Sequence, residues 1–316
     1  MTTTPRLSIG LPVYNGENYL TEALDDLLGQ TYTDFELIIS DNASTDATER
    51  ICRAYADADP RVRYIRQPRN IGAVPNHNFL VGQARGELFK WAAHDDRFGD
   101  TLLERCVAAL DTEPDAVLCH SHMAVVDADG TLAEKYDYTI ATDSPSAPER
   151  FKSLLVTDGG DDFYGVVRLD VMRRAPRMDS YHNGGRVFVA GLSLYGRFLQ
   201  VPEVLYFRRD HPGRGDRLPS ISAVCSNLDP RRANHSTARL LAEYVGGYLS
   251  VIRRSPLSPR DRAACYRAIL GWFAGRGMRI PARRLAFARV LPSFGAGQVD
   301  TSGSSESSTL RERKRR

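Results

Sequence analysis

Long apolar segments and paired cysteines are both absent from this 316-residue sequence. No uninterrupted apolar run approaches the roughly 18 to 20 residues that a membrane-spanning helix requires. The stretch from Met1 to Arg6 lacks the apolar core of a signal peptide. The five cysteines are scattered without a C-x-x-C spacing, which argues against a zinc site and against a disulfide framework. We therefore expect a cytoplasmic protein with reduced thiols.

Charge is distributed unevenly along the chain. Up to Pro230 there are 24 basic and 34 acidic residues, whereas from Arg231 onward there are 18 basic and 5 acidic residues. The basic part would favour an anionic partner, such as anionic membrane lipid, a phosphorylated acceptor or nucleic acid. A solvated, arginine-rich helical surface is the simpler alternative. Nucleic acid is the least expected partner, because no basic motif interleaved with aromatic residues is present.

The first 130 residues alternate short apolar runs with helical patterns, which predicts an α/β fold with a parallel sheet built from βαβ units. Strands are predicted at residues 7–13, 35–40, 61–66, 87–93 and 116–127, and later at 163–168, 198–201 and 204–208. Later helices are predicted at residues 188–195, 237–253 and 259–273. The segment 213–230, rich in Gly, Pro and Ser, predicts a mobile loop.

Two adjacent carboxylates, Asp95 and Asp96, follow the predicted strand at residues 87–93. Open α/β sheets bind ligands beyond the carboxyl ends of their strands. Hard oxygen donors suit Mg²⁺ or Mn²⁺, so the pair predicts a metal that would bridge the phosphates of a nucleotide. A helix cap is the alternative, since acids just before a helix at Thr101 would complement its dipole.

Four segments of the first hundred residues form an ordered series of motifs: residues 9–17, 40–46, 70–72 and 94–96. In order and approximate spacing they resemble the motifs of family 2 glycosyltransferases. Residues 206–212 are similar to the Tyr-Arg-x-His segment that closes the catalytic domain of many members. The resemblance implies a GT-A fold, which is a Rossmann-like, mostly parallel sheet flanked by helices, here followed by an α-helical C-terminal extension. It also implies sugar transfer from a nucleoside-diphosphate-sugar donor, usually with inversion at the anomeric carbon.

The resemblance also implies roles for individual residues. Asp96 matches the family's metal ligand, with His211 as a further ligand through a neutral imidazole nitrogen. Asp95 matches the carboxylate that contacts ribose or a metal-bound water. A loop histidine satisfied by backbone groups is the alternative for His211. Arg208 and Arg209 are expected to offer the diphosphate one guanidinium, because only one of two successive strand residues faces the site.

Further motif residues are expected to contact the nucleotide. Tyr14 would present its ring to a base or ribose, and Pro12 would shape the turn. Asp41 would accept a hydrogen bond from a base edge, unless it forms an Asx-turn instead. The expected nucleotide contacts are Pro12, Tyr14, Glu17, Asp41, Asn70, Gly72 and Asp95.

The general base that inverting transfer requires has no match in its expected place. The corresponding stretch, residues 183–192, contains no carboxylate, and Gly185 occupies the position of the family's Asp. One hypothesis is that a displaced acid serves as base, with Asp179 preferred. The other is a non-catalytic sugar-nucleotide-binding or scaffold protein. A nucleotidyltransferase is disfavoured, because no Lys or Arg follows the first strand at residues 13–17.

We predict three segments: a glycosyltransferase domain at 1–230, an arginine-rich helical extension at 231–297 and a disordered basic tail at 298–316. The expected cofactor is Mn²⁺ or Mg²⁺. The expected partners are a nucleotide-sugar donor and an acceptor that is a glycan, a lipid-linked molecule or a small molecule. Peripheral contact with an anionic membrane at its inner face is a further expectation.

Overall fold

The computed structural model describes residues 4–136, 141–156, 161–214 and 218–276, whose strands form one mixed sheet. The strands are β1 Leu7–Val13, β2 Phe35–Asp41, β3 Val62–Arg66, β4 Leu88–Trp91, β5 Arg97–Phe98, β6 Ala116–Val126, β7 Leu132–Tyr136, β8 Val166–Arg168 and β9 Arg197–Arg209. The helices are α1 Leu20–Leu28, α2 Thr48–Ala58, α3 Ala73–Gln83, α4 Leu102–Thr112, α5 Ala147–Val156, α6 Leu169–Arg174, α7 Gly184–Leu192, α8 Ile221–Leu228, α9 Thr237–Arg254 and α10 Pro259–Arg276.

The sheet has the order β3-β2-β1-β4-β8-β6-β9-β5, with β7 paired to β6. Strands β1 to β4 are parallel to one another, as the βαβ pattern predicts. Strand β8 lies antiparallel between β4 and β6, and β9 is parallel to β6. Consequently β1, β4 and β9 run in one direction, and their carboxyl ends lie at the same edge of the sheet.

Each face of the sheet carries an apolar cluster, because alternate strand residues point to opposite sides. Leu37 and Ile39 belong to the cluster that contains the buried side chains of α1 and α4, whereas Ile38 belongs to the cluster with α7 and α9. Leu37, Ile38 and Ile39 are fully buried. The helices therefore cover both faces and leave the strand ends as the place for a site.

Two predictions for the second half of the chain are wrong. The loop predicted at residues 213–230 contains α8, whose N-cap Ser220 accepts a hydrogen bond from the Ala223 amide at 3.0 Å. The two strands predicted at 198–201 and 204–208 are one strand, β9. The register of β9 against β6 shifts next to Pro202, and such a bulge accommodates a residue without an amide hydrogen.

The segment after residue 230 packs into the same core as the sheet. Tyr248, Val251 and Ile252 of α9 are buried in the cluster that also holds α7. A Cβ added at Gly191 of α7 would lie 3.1 Å from Val251, so the two helices are in close contact. One compact unit extends to Gly275. The domain boundary at 230 stays a prediction, and the predicted tail at 298–316 lies outside the described residues.

Within the described part of the chain, no helix combines the length and the apolar character needed to cross a membrane.

Gly72 offers a test of the loop that precedes α3. Its φ is +94°, and a Cβ there would lie 2.7 Å from the carbonyl oxygen of Leu228. We expect Gly72→Ala to lower the free energy of unfolding in urea by about 1–3 kcal/mol. Gly82 inside α3 is the matched control, because a Cβ there meets nothing within 4 Å. Gly82→Ala is expected to stabilise by about 0.5–1 kcal/mol, and equal effects of the two substitutions would contradict this account.

Candidate functional site

The loops that follow β1, β4 and β9 meet at one edge of the sheet. A Cβ added at Gly16, after β1, would lie 2.5 Å from the ring of His94, after β4. His211, after β9, lies 3.0 Å from the carboxylate of Asp95. Residues distant in the sequence therefore form one polar cluster where open α/β folds place their ligands.

Hydrogen bonds join the loop after β1 to the loop after β2. Asn15 adopts a left-handed conformation, with φ of 51°, and its side chain accepts a hydrogen bond from the Thr45 amide at 2.9 Å. Glu17 accepts one from the Ala47 amide at 2.8 Å, just before α2. Glu17, predicted as a nucleotide contact, thus binds the backbone at the start of α2 in this structure. That hydrogen bond is a structural reason for a carboxylate at this position of the motif.

Asp41 is fully buried, with 0 % exposure. Its carboxylate accepts hydrogen bonds from the Ser44 amide, the Tyr64 hydroxyl and the Arg66 guanidinium at 2.7–2.8 Å. Both oxygens are thus used inside the protein, and the contact with Ser44 is the one that the Asx-turn alternative describes. The base contact of Asp41 stays a prediction. Burial and the hydrogen bond to Asp41 raise the pKa of Tyr64, which keeps that phenol protonated as a donor.

Asn70 lies exposed at the start of the loop before α3. Its side-chain oxygen accepts hydrogen bonds from the Asn42 amide group and the Gly72 backbone amide, each at 2.9 Å. These bonds fix the orientation of Asn70 while leaving it at the surface. Gly72 faces the backbone of Leu228 and Asp229, and its contact with the nucleotide stays a prediction.

Tyr14 and Pro12 differ sharply in accessibility. Tyr14 is 43 % exposed and is available to a planar ligand. Pro12 is buried in β1 opposite Ser40. The Gly10 carbonyl faces β4, where it accepts a hydrogen bond from the Ala92 amide, and the Pro12 nitrogen, two residues later, faces the same side. The pairing of β1 with β4 ends at Gly10, so it does not reach Pro12. Proline is tolerated at such a position because no ladder bond is lost.

Asp95 and His211 form a partly exposed polar pair at this edge. Their side chains are 15 % and 12 % exposed, and His211 Nε2 donates to Asp95 Oδ2 at 3.0 Å. The ring of Tyr19 supports His211 with ring centroids 4.8 Å apart. Burial alone would raise the pKa of Asp95, but His94, His211 and Arg214 together hold that pKa well below its usual range. Asp95 is therefore an anion with a nitrogen donor beside it.

Asp96, assigned by the resemblance as the metal ligand, is only 2 % exposed. Its carboxylate accepts hydrogen bonds from the Tyr206 hydroxyl and from the Arg209 amide, the latter at 2.9 Å. Burial and the neighbouring Asp95 charge raise its pKa. Both of its oxygens are used inside the protein, because they tie the end of β4 to β9. Asp95 is therefore the more exposed acid of the pair, and the metal-ligand role of Asp96 stays a prediction.

Two arginines beside the acid pair have different roles. Arg209 is 1 % exposed and donates to the Asp95 carbonyl at 2.9 Å and to Glu22 at 2.9 Å, so it is a structural residue and not a diphosphate ligand. Arg214 donates to the Arg209 carbonyl at 2.6 Å and lies 3.7 Å from Asp96. Its side chain is 18 % exposed, and it places positive charge next to Asp95.

An aromatic group connects β4 to the start of α7. Trp91 and Phe163 stack with centroids 4.6 Å apart, and a Cβ added at Gly185 would lie 3.8 Å from Phe163. His77 packs against Trp91, and burial lowers its pKa to about 4. A neutral imidazole held among rings supplies no charge for a phosphate.

Asp179, the preferred substitute base, has a different environment. Its carboxylate accepts from the Ser180 amide at 2.7 Å and from Arg232 at 2.5 Å. Arg232 also binds Glu243 of α9. The carboxylate is thus engaged in an ion pair that fastens the segment before α7 to the helical extension, and none of its described contacts joins it to Asp95 or His211.

Arg66 and Arg214 were not among the candidate site residues predicted from the sequence. Arg66 ends β3, is about one-third exposed and donates to Asp41 at 2.7 Å. The position of Arg66 at the end of a predicted strand, close to Asn70 in the sequence, could have identified it as a candidate site residue. For Arg214 the sequence offers a weaker indication, which is its spacing of three residues from His211.

Together the fold and the cluster define an open α/β protein with a ligand site at the carboxyl ends of parallel strands. A family model described as glycosyl transferase family 2 matches residues 8–170, more than half of the chain. The chain therefore belongs to glycosyl transferase family 2, as its motifs predicted.

The alignment of this chain with its curated relatives covers only part of each relative's length. An uncharacterized glycosyltransferase of Rickettsia typhi is 37 % identical over 109 residues, which are 34 % of this chain and 33 % of that protein. An uncharacterized protein of Mycobacterium tuberculosis is 40 % identical over 127 residues, 39 % of this chain and 36 % of that protein. The match thus spans about a third of each relative.

Solved structures share the fold over most of the chain. Residues 1–349 of Staphylococcus aureus TarS, solved with UDP-GlcNAc, superpose with a TM-score of 0.64 and 16 % identity over 89 % of this chain and 77 % of that one. The complex of the same TarS fragment with UDP gives a TM-score of 0.61 over 90 % of this chain and 78 % of that one. The GT-A fold expected from the motifs is confirmed.

Proposed function

We propose that this protein transfers a sugar from a nucleoside-diphosphate-sugar to an acceptor, with Mn²⁺ or Mg²⁺ bound at Asp95. The observation that carries the proposal is the Asp95–His211 pair at the strand ends of a family 2 fold, with the two side chains 3.0 Å apart. TarS, which shares this fold, is known in complexes with UDP and UDP-GlcNAc.

The donor set suits a cation that is shared with its substrate. In the described part of the chain, no group of three or more His, Cys, Asp or Glu side chains is arranged around one point. Mg²⁺ typically takes one or two carboxylates, with substrate phosphates and water as the other ligands. Asp95 and His211 fit that pattern, and a cation held there neutralises the departing diphosphate. Asp96 would act indirectly, by fixing the loop that carries Asp95.

The chain's own groups supply the other donor contacts. Tyr14 offers an exposed ring to the base or ribose, with Asn70 on a neighbouring loop and Arg66 at the end of β3. Arg214 offers its guanidinium to diphosphate oxygens, a pairing that its forked geometry favours. The carboxylate of Asp95 would contact both the ribose of the donor and the cation.

The transfer itself forms a bond between an acceptor oxygen and the anomeric carbon and breaks the bond to the diphosphate. The acceptor proton must pass to a base. Asp179 remains a candidate only if its ion pair with Arg232 opens. If that ion pair stays closed, neither Asp179 nor the Gly185 position supplies a base, and transfer proceeds slowly.

A second candidate function is a non-catalytic sugar-nucleotide-binding or scaffold protein. Gly184 and Gly185 at the start of α7 favour it, because no carboxylate stands where the family places its base. For the first candidate, the acceptor is a glycan, a lipid-linked molecule or a small molecule. We also propose a cytoplasmic location with peripheral contact at the inner face of an anionic membrane.

Donor turnover separates the two candidates. Full-length protein is incubated with UDP- and GDP-sugars and Mn²⁺ or Mg²⁺, and release of nucleoside diphosphate is followed with and without a panel of acceptors. Calorimetry measures nucleotide binding in parallel. Cation-dependent release supports the transferase, and binding without release supports the scaffold. If none of the nucleotides tested binds, with or without a cation, both candidates are contradicted.

A further inference from the structure

Helices α9 and α10 form a hairpin that is fastened to the rest of the protein on one side. The ring of Trp272 in α10 packs against Tyr244 and Tyr248 of α9, with centroids 6.5 Å and 6.3 Å away. Arg262 donates to the carbonyls of Arg253, Ser255 and Leu257, which holds the connecting loop in one conformation. The opposite sides of both helices face solvent.

Those solvent-facing sides have an unusual composition. Each is a stripe of exposed residues with helical spacing: Ala238, Ala242, Gly246, Leu249 and Arg253 on α9, and Arg260, Ala263, Arg267, Leu270 and Ala274 on α10. Leu249 is 43 % exposed and Leu270 is 67 % exposed. The outer face of a water-soluble helix normally carries mixed charges. These stripes instead combine small and apolar residues with arginine and contain no acid.

The arginines of the hairpin differ from most of those near the sheet. Arg61, Arg97 and Arg197 each pair with a carboxylate at 2.6–2.9 Å. In the described residues, no acidic partner is found for four exposed arginines of the hairpin: Arg253, Arg254, Arg260 and Arg267. The acids on the two helices are otherwise engaged, since Glu243 binds Arg232 and Arg239 and Asp261 binds Ser258.

Three of these arginines lie at the loop end of the hairpin. Arg253 and Arg254 end α9, and Arg260 is the second residue of α10. We call Arg253, Arg254 and Arg260 the arginine tip. The sequence that follows adds Arg279, Arg283, Arg284 and Arg289 and contains no acid before Asp300. Arginine is therefore concentrated in this part of the sequence, with Asp261 as the one acid between Arg253 and Arg289.

We propose that the α9–α10 hairpin binds the surface of an anionic lipid bilayer. The arginine tip engages lipid phosphates, and Leu249 and Leu270 enter the interfacial region, a combination typical of helices that lie on membranes. A second copy of the chain is a poorer occupant, because its hairpin would present the same unpaired positive charge. The inference locates the peripheral contact included in the proposed function but does not depend on the nucleotide site.

The test uses full-length protein and sedimentation with vesicles. One vesicle type contains equal parts of phosphatidylglycerol and phosphatidylcholine, and the other contains phosphatidylcholine alone. We expect binding to the anionic vesicles only, weakened by salt. A variant with Arg253→Glu, Arg254→Glu and Arg260→Glu is expected to bind at least about tenfold more weakly.

The matched control changes three exposed arginines elsewhere, with Arg50→Glu, Arg85→Glu and Arg177→Glu. It alters net charge equally and is expected to bind much more like the wild type. A variant with Leu249→Ser and Leu270→Ser keeps every charge but loses the two apolar side chains. Its loss of affinity for the anionic vesicles is expected to be clearest at high salt, where the electrostatic contribution is screened. Indifference of the wild type to anionic lipid, or equal loss in the two arginine variants, would overturn the inference. Nucleoside diphosphate release is measured separately, so its failure leaves the vesicle result interpretable.

Discussion

Replacing Asp95 with Asn is expected to weaken Mn²⁺-supported binding of a nucleoside diphosphate by about 30- to 1000-fold. The loss corresponds to about 2–4 kcal/mol for removing one partner of a desolvated charge contact. Asp95 is accessible, and its side chain is held by His211, so the substitution removes a ligand-facing charge and leaves the hydrogen bonds of Asp96 intact.

Asp96→Asn is the matched comparison, because it makes the same chemical change one residue away. We expect it to lower the free energy of unfolding by about 1–3 kcal/mol, since the amide cannot accept from both Tyr206 and the Arg209 backbone in the same way. Calorimetry with Mn²⁺ measures nucleotide binding, and urea unfolding without nucleotide measures stability. The opposite result, with binding lost only in Asp96→Asn and stability unchanged, would restore Asp96 as the metal ligand.

Gly185→Asp is expected to raise the rate of sugar transfer by about 10²- to 10⁴-fold, the usual contribution of a positioned base. The structure has room for the new side chain, because the nearest atom to an added Cβ is Phe163 Cδ2 at 3.8 Å. A carboxylate in the first turn of α7 also suits the helix dipole. The neighbouring Gly184 could not be used, since a Cβ there would lie 2.0 Å from the Asp179 carbonyl.

Gly185→Asn controls for size and polarity without supplying a base. Transfer rates are measured with the donor that gives the highest release of nucleoside diphosphate, over a range of pH. A gain confined to the Asp variant, appearing as the carboxylate ionises, is the expected result. An unchanged or lower rate would mean that another residue already serves as the base, and Asp179→Asn would then be the next variant to measure.

Local patterns carried much of the fold. Strand β1 was predicted with the same bounds that the structure shows. Such patterns report which side of an element is buried, because they repeat with the period of the strand or helix. Irregular segments were harder: α8 was missed because Ser220 resembles a loop residue as much as a helix cap.

The motifs also led to residues that hold the loops in place. Asp41 ends β2 and is fully buried, and Glu17, in the loop after β1, accepts a hydrogen bond from the Ala47 amide just before α2. A motif records that a residue type is required at a position. It does not distinguish a residue that touches the ligand from one that holds the loop, because both demand a polar side chain there.

The sequence by itself determined the family, the parallel half of the sheet and the strand end where a polar site forms, since these follow from local periodicity and ordered motifs. Only the tertiary structure decided which acid faces outward. Asp96 is turned inward by Tyr206 and Arg209, more than one hundred residues away along the chain, and Asp95 is left beside His211. Contacts between such distant residues depend on how β4 and β9 are brought together, which no local pattern encodes.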